Sequence, residues 1–198
     1  FRVNLCMTKR GVSIVMRRLK SVETNPLNLG VPGDLLRLVL ESPTGGIIFI
    51  AGPTGSGKST TLASLIAYLV ATRCLNCVTI EDPIEYYHKH KKAIITQREL
   101  GVDVPTFSEA LRRGLRQDPD IFLVGEMRDL DTIEAAITAA ETGHVVFATL
   151  HTTGASRTVD RIVNVFSVAQ QEQIRVMLSV SVLAIISQVL LNRIDKKG

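Results

Sequence analysis

The fold follows from one stretch of the chain, Gly52-Pro53-Thr54-Gly55-Ser56-Gly57-Lys58-Ser59. This run has the G-x-x-x-x-G-K-[ST] form of a phosphate-binding loop. The apolar run 46–51 before it predicts a buried strand, and residues 59–69 after it have helical spacing. Glycines let the backbone wrap around an anion, and the start of a helix points unpaired N–H groups and a positive dipole end toward it. The sequence therefore predicts a site for a nucleoside triphosphate.

The loop also predicts which residues contact the nucleotide. Lys58 supplies a mobile positive charge for the β- and γ-phosphates, and the Ser59 hydroxyl is a ligand for Mg²⁺. The expected nucleotide contacts are Pro53, Thr54, Gly55, Ser56, Gly57, Lys58, Ser59 and Thr60.

Carboxylates follow two further predicted strands. The apolar strand 121–124 leads into Gly125 and Glu126, which is the Walker B pattern, and strand 77–80 is followed by acidic residues as far as Glu85. Hydrolysis of a bound triphosphate needs a held water and a metal ion, and the carboxyl ends of parallel strands meet at one edge of a sheet. We therefore expect both carboxylate clusters beside the phosphate loop.

Two histidines flank another predicted strand, 145–150. His144 precedes this strand and His151 follows it, so either side chain is a candidate for the γ-phosphate side.

The order of predicted elements indicates an α/β fold, with a mostly parallel sheet covered by helices. Residues 1–20 predict two strands that belong to a truncated N-terminal domain, 21–33 a polar linker, and 34–198 the nucleotide-binding domain. A helix is expected over 34–40, capped by Asp34, and another from the capping box at Thr106 to Gln117. Residues 169–191 predict one or two helices.

Composition narrows the class of protein. The chain has 198 residues, a formal net charge of +4 and three cysteines, and it shows no secretory signal pattern, so we expect a cytoplasmic protein without a disulfide framework. A groove for single-stranded nucleic acid needs basic and aromatic residues. Aromatic residues are only 5% of the chain and the one basic run, 89–92, is typical of a solvated loop, so no nucleic-acid partner is expected.

Six motifs recur in order in one known family. The chain resembles the secretion and pilus motor ATPases, and within them the type IV pilus retraction ATPases, on GPTGSGKSTT (52–61), TIEDPIE (79–85), QDPD (117–120), GEMRD (125–129), AETGH (140–144) and TLHTT (149–153). The resemblance runs over nearly the whole chain and implies a RecA-like P-loop domain that hydrolyses ATP with Mg²⁺.

The resemblance also assigns roles to residues. Glu85 would polarise the attacking water, Glu126 would help to hold Mg²⁺ through its water shell, and His144 and His151 would sense or contact the phosphate region. Family members act as hexameric rings at the cytoplasmic face of the bacterial inner membrane. There they work with a membrane platform protein and, indirectly, with pilin during pilus retraction and twitching motility.

The family's N-terminal domain is PAS-like, and residues 1–4 resemble its closing strands. Its arginines help to neutralise the triphosphate, and the matching candidates are Arg2, Arg10 and Arg17, with solvated hairpin charges as an equal alternative. The family's distal C-terminal helical region is truncated here, which leaves the fragment's own assembly and turnover open.

Three other functions are considered. A pilus assembly or type II secretion ATPase usually carries a four-cysteine zinc insertion that this sequence lacks, and Glu141 before the Thr-Gly-His triplet favours retraction. A DNA-translocating RecA-like ATPase is disfavoured by the composition. A nucleotide-binding subunit that never hydrolyses is disfavoured because Lys58, Glu85 and Glu126 are all present.

Overall fold

The computed structural model describes residues 2–18, 22–41 and 45–191, without the side chains of Arg2, Arg17, Leu40 and Glu41. Along these ranges the chain forms β1 (Arg2–Thr8), β2 (Gly11–Arg17), a 3-10 turn (Pro26–Leu29), α1 (Gly33–Glu41), β3 (Gly46–Ala51), α2 (Lys58–Thr72), β4 (Asn76–Glu81), β5 (Ile94–Glu99), α3 (Phe107–Gly114), a second 3-10 turn (Leu115–Gln117), β6 (Ile121–Val124), α4 (Leu130–Glu141), β7 (Val145–Leu150), α5 (Ala155–Val163), α6 (Val168–Ser181) and β8 (Val182–Ser187).

The main sheet has six strands in the order β5-β4-β6-β7-β3-β8, and every neighbouring pair is parallel. The predicted α/β class is therefore confirmed. Parallel strands need crossover connections that cover both faces, so their residues are apolar without alternation. All residues of β3, β6 and β7 are buried, which is the sequence signature of strands covered on both sides.

Two apolar clusters cover the two faces of the sheet. Ile47 and Phe49 of β3 pack in the cluster that contains residues of α3, α4, α5 and α6. Ile48 and Ile50 of the same strand pack in the other cluster, with residues of α1 and α2. Successive side chains of a strand point to opposite faces, so one strand contributes to both layers of the core.

The C-terminal prediction is wrong in part. Residues 169–191 were expected to be helical, but α6 ends at Ser181 and the chain continues as β8, which pairs in parallel with β3. Val182, Ile185 and Ile186 are β-branched and suit a pleated surface. The pairing with β3 is a contact between residues far apart in the chain, so local helical spacing gave no sign of it.

One of the two predicted helix caps is confirmed and the other is wrong. Thr106 accepts a hydrogen bond from the Glu109 N–H at 3.1 Å, which confirms the predicted capping box position at the start of α3. Helix α3 itself ends at Gly114, before the expected Gln117, and the chain continues as the second 3-10 turn. Helix α1 begins at Gly33, so Asp34 lies in its first turn rather than at its cap.

The N-terminal residues form the predicted two strands. Strands β1 and β2 pair antiparallel as a separate two-stranded sheet, from Arg2 opposite Arg17 to Thr8 opposite Gly11. The segment predicted as a linker contains the 3-10 turn, which Asn25 caps through the Leu27 N–H at 3.1 Å. Within the ranges that the structure describes, no helix is both long enough and apolar enough to span a bilayer.

Candidate active site

A cavity of about 580 Å³ lies at the carboxyl edge of the sheet, above the ends of β4, β6 and β7. Six of the predicted nucleotide contacts line it, namely Thr54, Gly55, Gly57, Lys58, Ser59 and Thr60. Glu85, Glu126 and His151 line it too, on segments that follow three different strands. The structure therefore brings the predicted phosphate loop and both predicted carboxylates to one place.

The Lys58 side chain lies along the loop that precedes it. Its Nζ donates to the Gly52 carbonyl at 2.8 Å and to the Pro53 carbonyl at 3.0 Å. Burial lowers the pKa of this ammonium, while the charge of Glu126 acts in the opposite direction. Gly57, with φ of 92°, is the last residue before α2, and this left-handed conformation suits glycine. The loop thus places one cation at the start of a helix, where an anion is favoured.

Glu126 contacts two side chains, Arg128 and His151. Its Oε2 accepts from Arg128 Nη2 at 2.5 Å, and its Oε1 lies 3.2 Å from His151 Nε2. The hydrogen bond from Arg128 is the largest cause of a lowered pKa for this carboxyl, with a smaller contribution from His151. Glu126 is therefore held as an ionised carboxylate, the form that binds a cation.

His151 connects the Walker B carboxylate with the phosphate loop. Its Nδ1 lies 3.4 Å from Lys58 Nζ, and its Nε2 faces Glu126. A side chain in this position touches the cation and the carboxylate that would flank a bound γ-phosphate. The structure thus places His151 at the predicted site, and its role there stays a prediction.

The structure does not bring His144 to this site. His144 precedes β7 while His151 follows it, so the six residues of the strand separate them. The His144 Nδ1 lies 2.9 Å from the Ala139 carbonyl, and its ring packs on Phe122. The two ends of a strand lie at opposite edges of the sheet. His144 therefore lies at the edge away from the cavity in this protomer, although it is close to His151 in sequence.

Gly125 has a packing role that the sequence did not reveal. A Cβ at this position would lie 3.1 Å from the Ile80 carbonyl oxygen and 3.2 Å from Glu81 Cα. Its N–H donates to that Ile80 carbonyl at 2.8 Å. Gly125 therefore lets the ends of β4 and β6 approach closely, which sets the spacing between the two carboxylate segments.

The predicted arginines lie on the N-terminal hairpin. Arg10 is exposed in the turn between β1 and β2, and the Arg2 and Arg17 side chains lie outside the described part of the chain. Arg18, which sequence reasoning did not select, lines the cavity. A cation that lines a site for a polyanion attracts the anion electrostatically. This role of Arg18 is visible only from its position in the folded structure.

The segment 86–92 contributes more than the sequence indicated. The Tyr86 hydroxyl lies 3.0 Å from Thr60 Oγ1, and the residue lines the cavity. His88 lines the cavity as well, and burial lowers its pKa to about 4, so this imidazole is neutral at pH 7. The basic residues 89–92 are exposed, as expected.

The oxygen groups of the cavity suit Mg²⁺. Within the ranges that the structure describes, no three His, Cys, Asp or Glu side chains are grouped so as to hold a metal ion by themselves. Mg²⁺ is usually bound through one or two carboxylates together with substrate phosphates and water. The Ser59 hydroxyl and the ionised Glu126 carboxylate, which line the same cavity, are a donor set of this kind.

Comparisons with known proteins show the family of this chain. The model of the family described as type II/IV secretion system protein matches residues 1–198. The twitching motility protein of Neisseria gonorrhoeae is 52% identical over 198 residues, which are 100% of this chain and 52% of that protein. The type IV pilus retraction ATPase PilT of Pseudomonas aeruginosa is 50% identical over 194 residues, 98% of this chain and 56% of that protein.

The fold comparison agrees as well. A crystal structure of the pilus retraction motor PilT with bound ADP matches with a TM-score of 0.93 at 50% identity, over 98% of this chain and 56% of that chain. The chain spans about half the length of the relatives it matches. The chain belongs to the type II/IV secretion system protein family, and within that family it is PilT-like.

Proposed function

We propose that this chain is the ATP-hydrolysing part of a Mg²⁺-dependent motor for type IV pilus retraction and twitching motility. The observation that carries the proposal is the meeting of Lys58, Glu85 and Glu126 around one cavity. The names of the relatives support ATP as the substrate and retraction as the direction. At about 50% identity over nearly all of this chain, the site residues are expected to do the same chemistry.

The phosphate loop binds the triphosphate. Backbone N–H groups at the start of α2 face the β- and γ-phosphates, and the Lys58 ammonium exchanges its carbonyl partners for phosphate oxygens. Ser59 and Glu126 would hold Mg²⁺, Glu126 through a water of the ion's shell. When bound, Mg²⁺ neutralises the charge that develops on the phosphate oxygens.

Glu85 acts on the attacking water. The carboxylate accepts a proton from the water while the water oxygen bonds to the γ-phosphorus, and the bond from that phosphorus to the ADP oxygen breaks. Inorganic phosphate and ADP leave, and the proton passes from Glu85 to solvent. His151 stays next to Glu126 and Lys58, where it senses whether a γ-phosphate is present.

The rest of the motor is proposed on the family's pattern. Residues 1–20 are the closing strands of a PAS-like domain, 21–33 the linker and 34–198 the RecA-like domain. The protein assembles as a hexameric ring at the cytoplasmic face of the inner membrane and acts through a platform protein on pilin. Arg2, Arg10 and Arg17 are proposed as fingers that neutralise a neighbouring subunit's triphosphate.

A pilus assembly or type II secretion ATPase is the alternative. The active-site chemistry is the same for both, so the cavity does not separate them. The chain contains three cysteines and so lacks the four-cysteine insertion of that branch, which favours retraction.

A glutamine at Glu85 tests the hydrolysis step in the full-length protein. Glu85→Gln keeps the shape and removes the base, so hydrolysis in a single turnover should slow by about 10²–10⁴-fold. Affinity for a fluorescent ATP analogue should stay within about threefold, because the phosphate loop is unchanged.

Two further variants complete this test. Lys58→Ala should abolish analogue binding, since the main counter-charge is lost, and Glu134→Gln, at an exposed position on α4, is the matched control with normal turnover. A Glu85→Gln protein that hydrolyses ATP at the wild-type rate would refute the assigned role of this carboxylate. A wild-type protein without ATPase activity would overturn the proposed function as a whole.

A further inference from the structure

We propose that Gln97, on β5, is a positioning residue that holds the loop carrying Glu85 in its productive conformation. This inference rests on the proposed ATP hydrolysis. The loop consists of residues 82–93, between β4 and β5. Among its residues that line the cavity, Glu85 is the proposed base for the attacking water. Gln97 itself does not line the cavity, so it acts through the loop.

Both polar atoms of the Gln97 amide are hydrogen-bonded, to the loop and to the last residue of β4. Its Nε2 donates to the Tyr86 carbonyl at 2.9 Å and to Glu81 Oε1 at 3.1 Å. Its Oε1 accepts from the His88 N–H at 2.8 Å. A planar amide offers two donors and one acceptor group in fixed directions. Gln97 therefore ties the end of β4 to two backbone positions just beyond Glu85.

Glu81 links Gln97 to the end of β4. Its Oε1 accepts from Thr79 Oγ1 at 2.7 Å and from Gln97 Nε2 at 3.1 Å. Gln97 and Glu81 thus form one connected polar unit between β4, β5 and the loop.

Three backbone positions around Glu85 are held from β5. The Ile84 N–H donates to Glu99 Oε2 at 3.1 Å, the Tyr86 carbonyl accepts from Gln97 Nε2, and the His88 N–H donates to Gln97 Oε1. Both supporting side chains are on β5 of the main sheet. A catalytic group on a loop needs such support, because misplacement by about 1 Å costs about 100-fold in rate.

Removal of the Gln97 amide is the test, in the full-length protein. Gln97→Leu has similar size and lacks all three hydrogen bonds, and Thr96→Val, the neighbouring residue on the opposite face of β5, is the matched control. Hydrogen exchange followed by mass spectrometry should show the amides of peptides covering 84–88 exchanging about tenfold faster in Gln97→Leu, with Thr96→Val unchanged. Unchanged exchange in Gln97→Leu would overturn the inference.

Turnover measurements separate positioning from a general structural role. Single-turnover hydrolysis should fall about 10- to 100-fold in Gln97→Leu, with analogue affinity within about threefold of wild type. In a Glu85→Gln background, Gln97→Leu should lower the single-turnover rate only slightly further, because Gln97 acts through the Glu85 carboxylate. A full additional loss in that background would contradict the assigned route.

The remaining outcomes are also decisive. If Gln97→Leu does not fold, Gln97→Met, which is unbranched like glutamine and also lacks the hydrogen bonds to Glu81, Tyr86 and His88, should show the same faster exchange. If the wild-type protein proves to lack ATPase activity, the proposed function fails. In that case the exchange of residues 84–88 still decides whether Gln97 holds the loop.

Discussion

At the scale of single residues, the site is a continuous series of polar contacts. Arg128, Glu126, His151 and Lys58 follow one another at contact distances of 2.5 to 3.4 Å. Neighbouring charges and hydrogen bonds shift the pKa of a carboxyl. The series keeps Glu126 ionised before any nucleotide arrives, and Arg128 contributes most to this.

Removing Arg128 should therefore change the pH dependence of the enzyme. Arg128 lowers the pKa of Glu126, so in Arg128→Ala this pKa rises toward its ordinary value and the carboxylate protonates at a higher pH. Activity that needs the ionised form is present above that pKa and is lost as the pH falls through it. The acid limb of the kcat/KM profile should shift to higher pH, as measured by steady-state ATPase assays between pH 4 and 8.

An arginine outside the site provides the control for this shift. Arg112 is exposed on α3 and does not line the cavity, so Arg112→Ala should leave the acid limb in place. An unmoved limb in Arg128→Ala would show that Glu126 does not set the acid side of the profile.

At the scale of elements, β8 is where local pattern and tertiary context disagree. The sequence from 169 to 191 has helical spacing, yet Val182–Ser187 pairs with β3 and brings Ile185 opposite Phe49. Long-range pairing commonly overrides local propensity in strands. The strand matters to the site, because Gln188 directly after it accepts from Thr61 of α2 at 3.1 Å, and its N–H donates to the Ala51 carbonyl.

Truncation of Ile185 tests whether β8 belongs to the core. Ile185 packs against the cluster that contains α4 and α6, so Ile185→Ala should lower the free energy of unfolding by about 2 kcal/mol. The control is Val180→Ala, because Val180 on α6 is 75% exposed. This substitution should change the free energy of unfolding by less than about 0.5 kcal/mol. Urea denaturation followed by circular dichroism measures both. Equal effects of the two substitutions would argue that 182–187 is not packed on the sheet.

At the scale of the whole molecule, the N-terminal hairpin has a large apolar surface. Leu5, Met7 and Ile14 are 66%, 80% and 59% exposed, and an isolated two-stranded hairpin is marginal in stability. This exposure supports the proposal that β1 and β2 complete a separate N-terminal domain. The relatives, of which the chain covers about half, are long enough to contain it.

Assembly gives the prediction at this scale. In a hexameric motor, the full-length protein should sediment at six times its protomer mass in the presence of Mg²⁺ and a non-hydrolysable ATP analogue. Specific ATPase activity should then fall on dilution if, as proposed, arginines from a neighbouring subunit complete the site. A protein that stays monomeric and keeps constant specific activity on dilution would contradict both the ring and the arginine fingers.

Much of the site was predictable because its parts are local in sequence. The run 52–59 specifies a loop by glycines and a helix start, and the strand ending at Glu126 is recognisable from its apolar residues and the carboxylate that follows. A loop or a strand of this kind is determined by backbone geometry and by interactions between residues close together in sequence. His144 was predicted for the phosphate side and Arg18 was not selected, because the distance of each residue from the cavity depends on tertiary structure.

The sequence by itself determined the α/β class, the phosphate loop and the two carboxylate segments, since each depends on a short stretch of the chain. Only the tertiary structure decided that β8 adds to the sheet, that His151 rather than His144 reaches Lys58, and that Gln97 supports the loop of Glu85. The reason is physical. A parallel sheet joins residues that are far apart in the chain, and no local pattern encodes which strand becomes the neighbour of which.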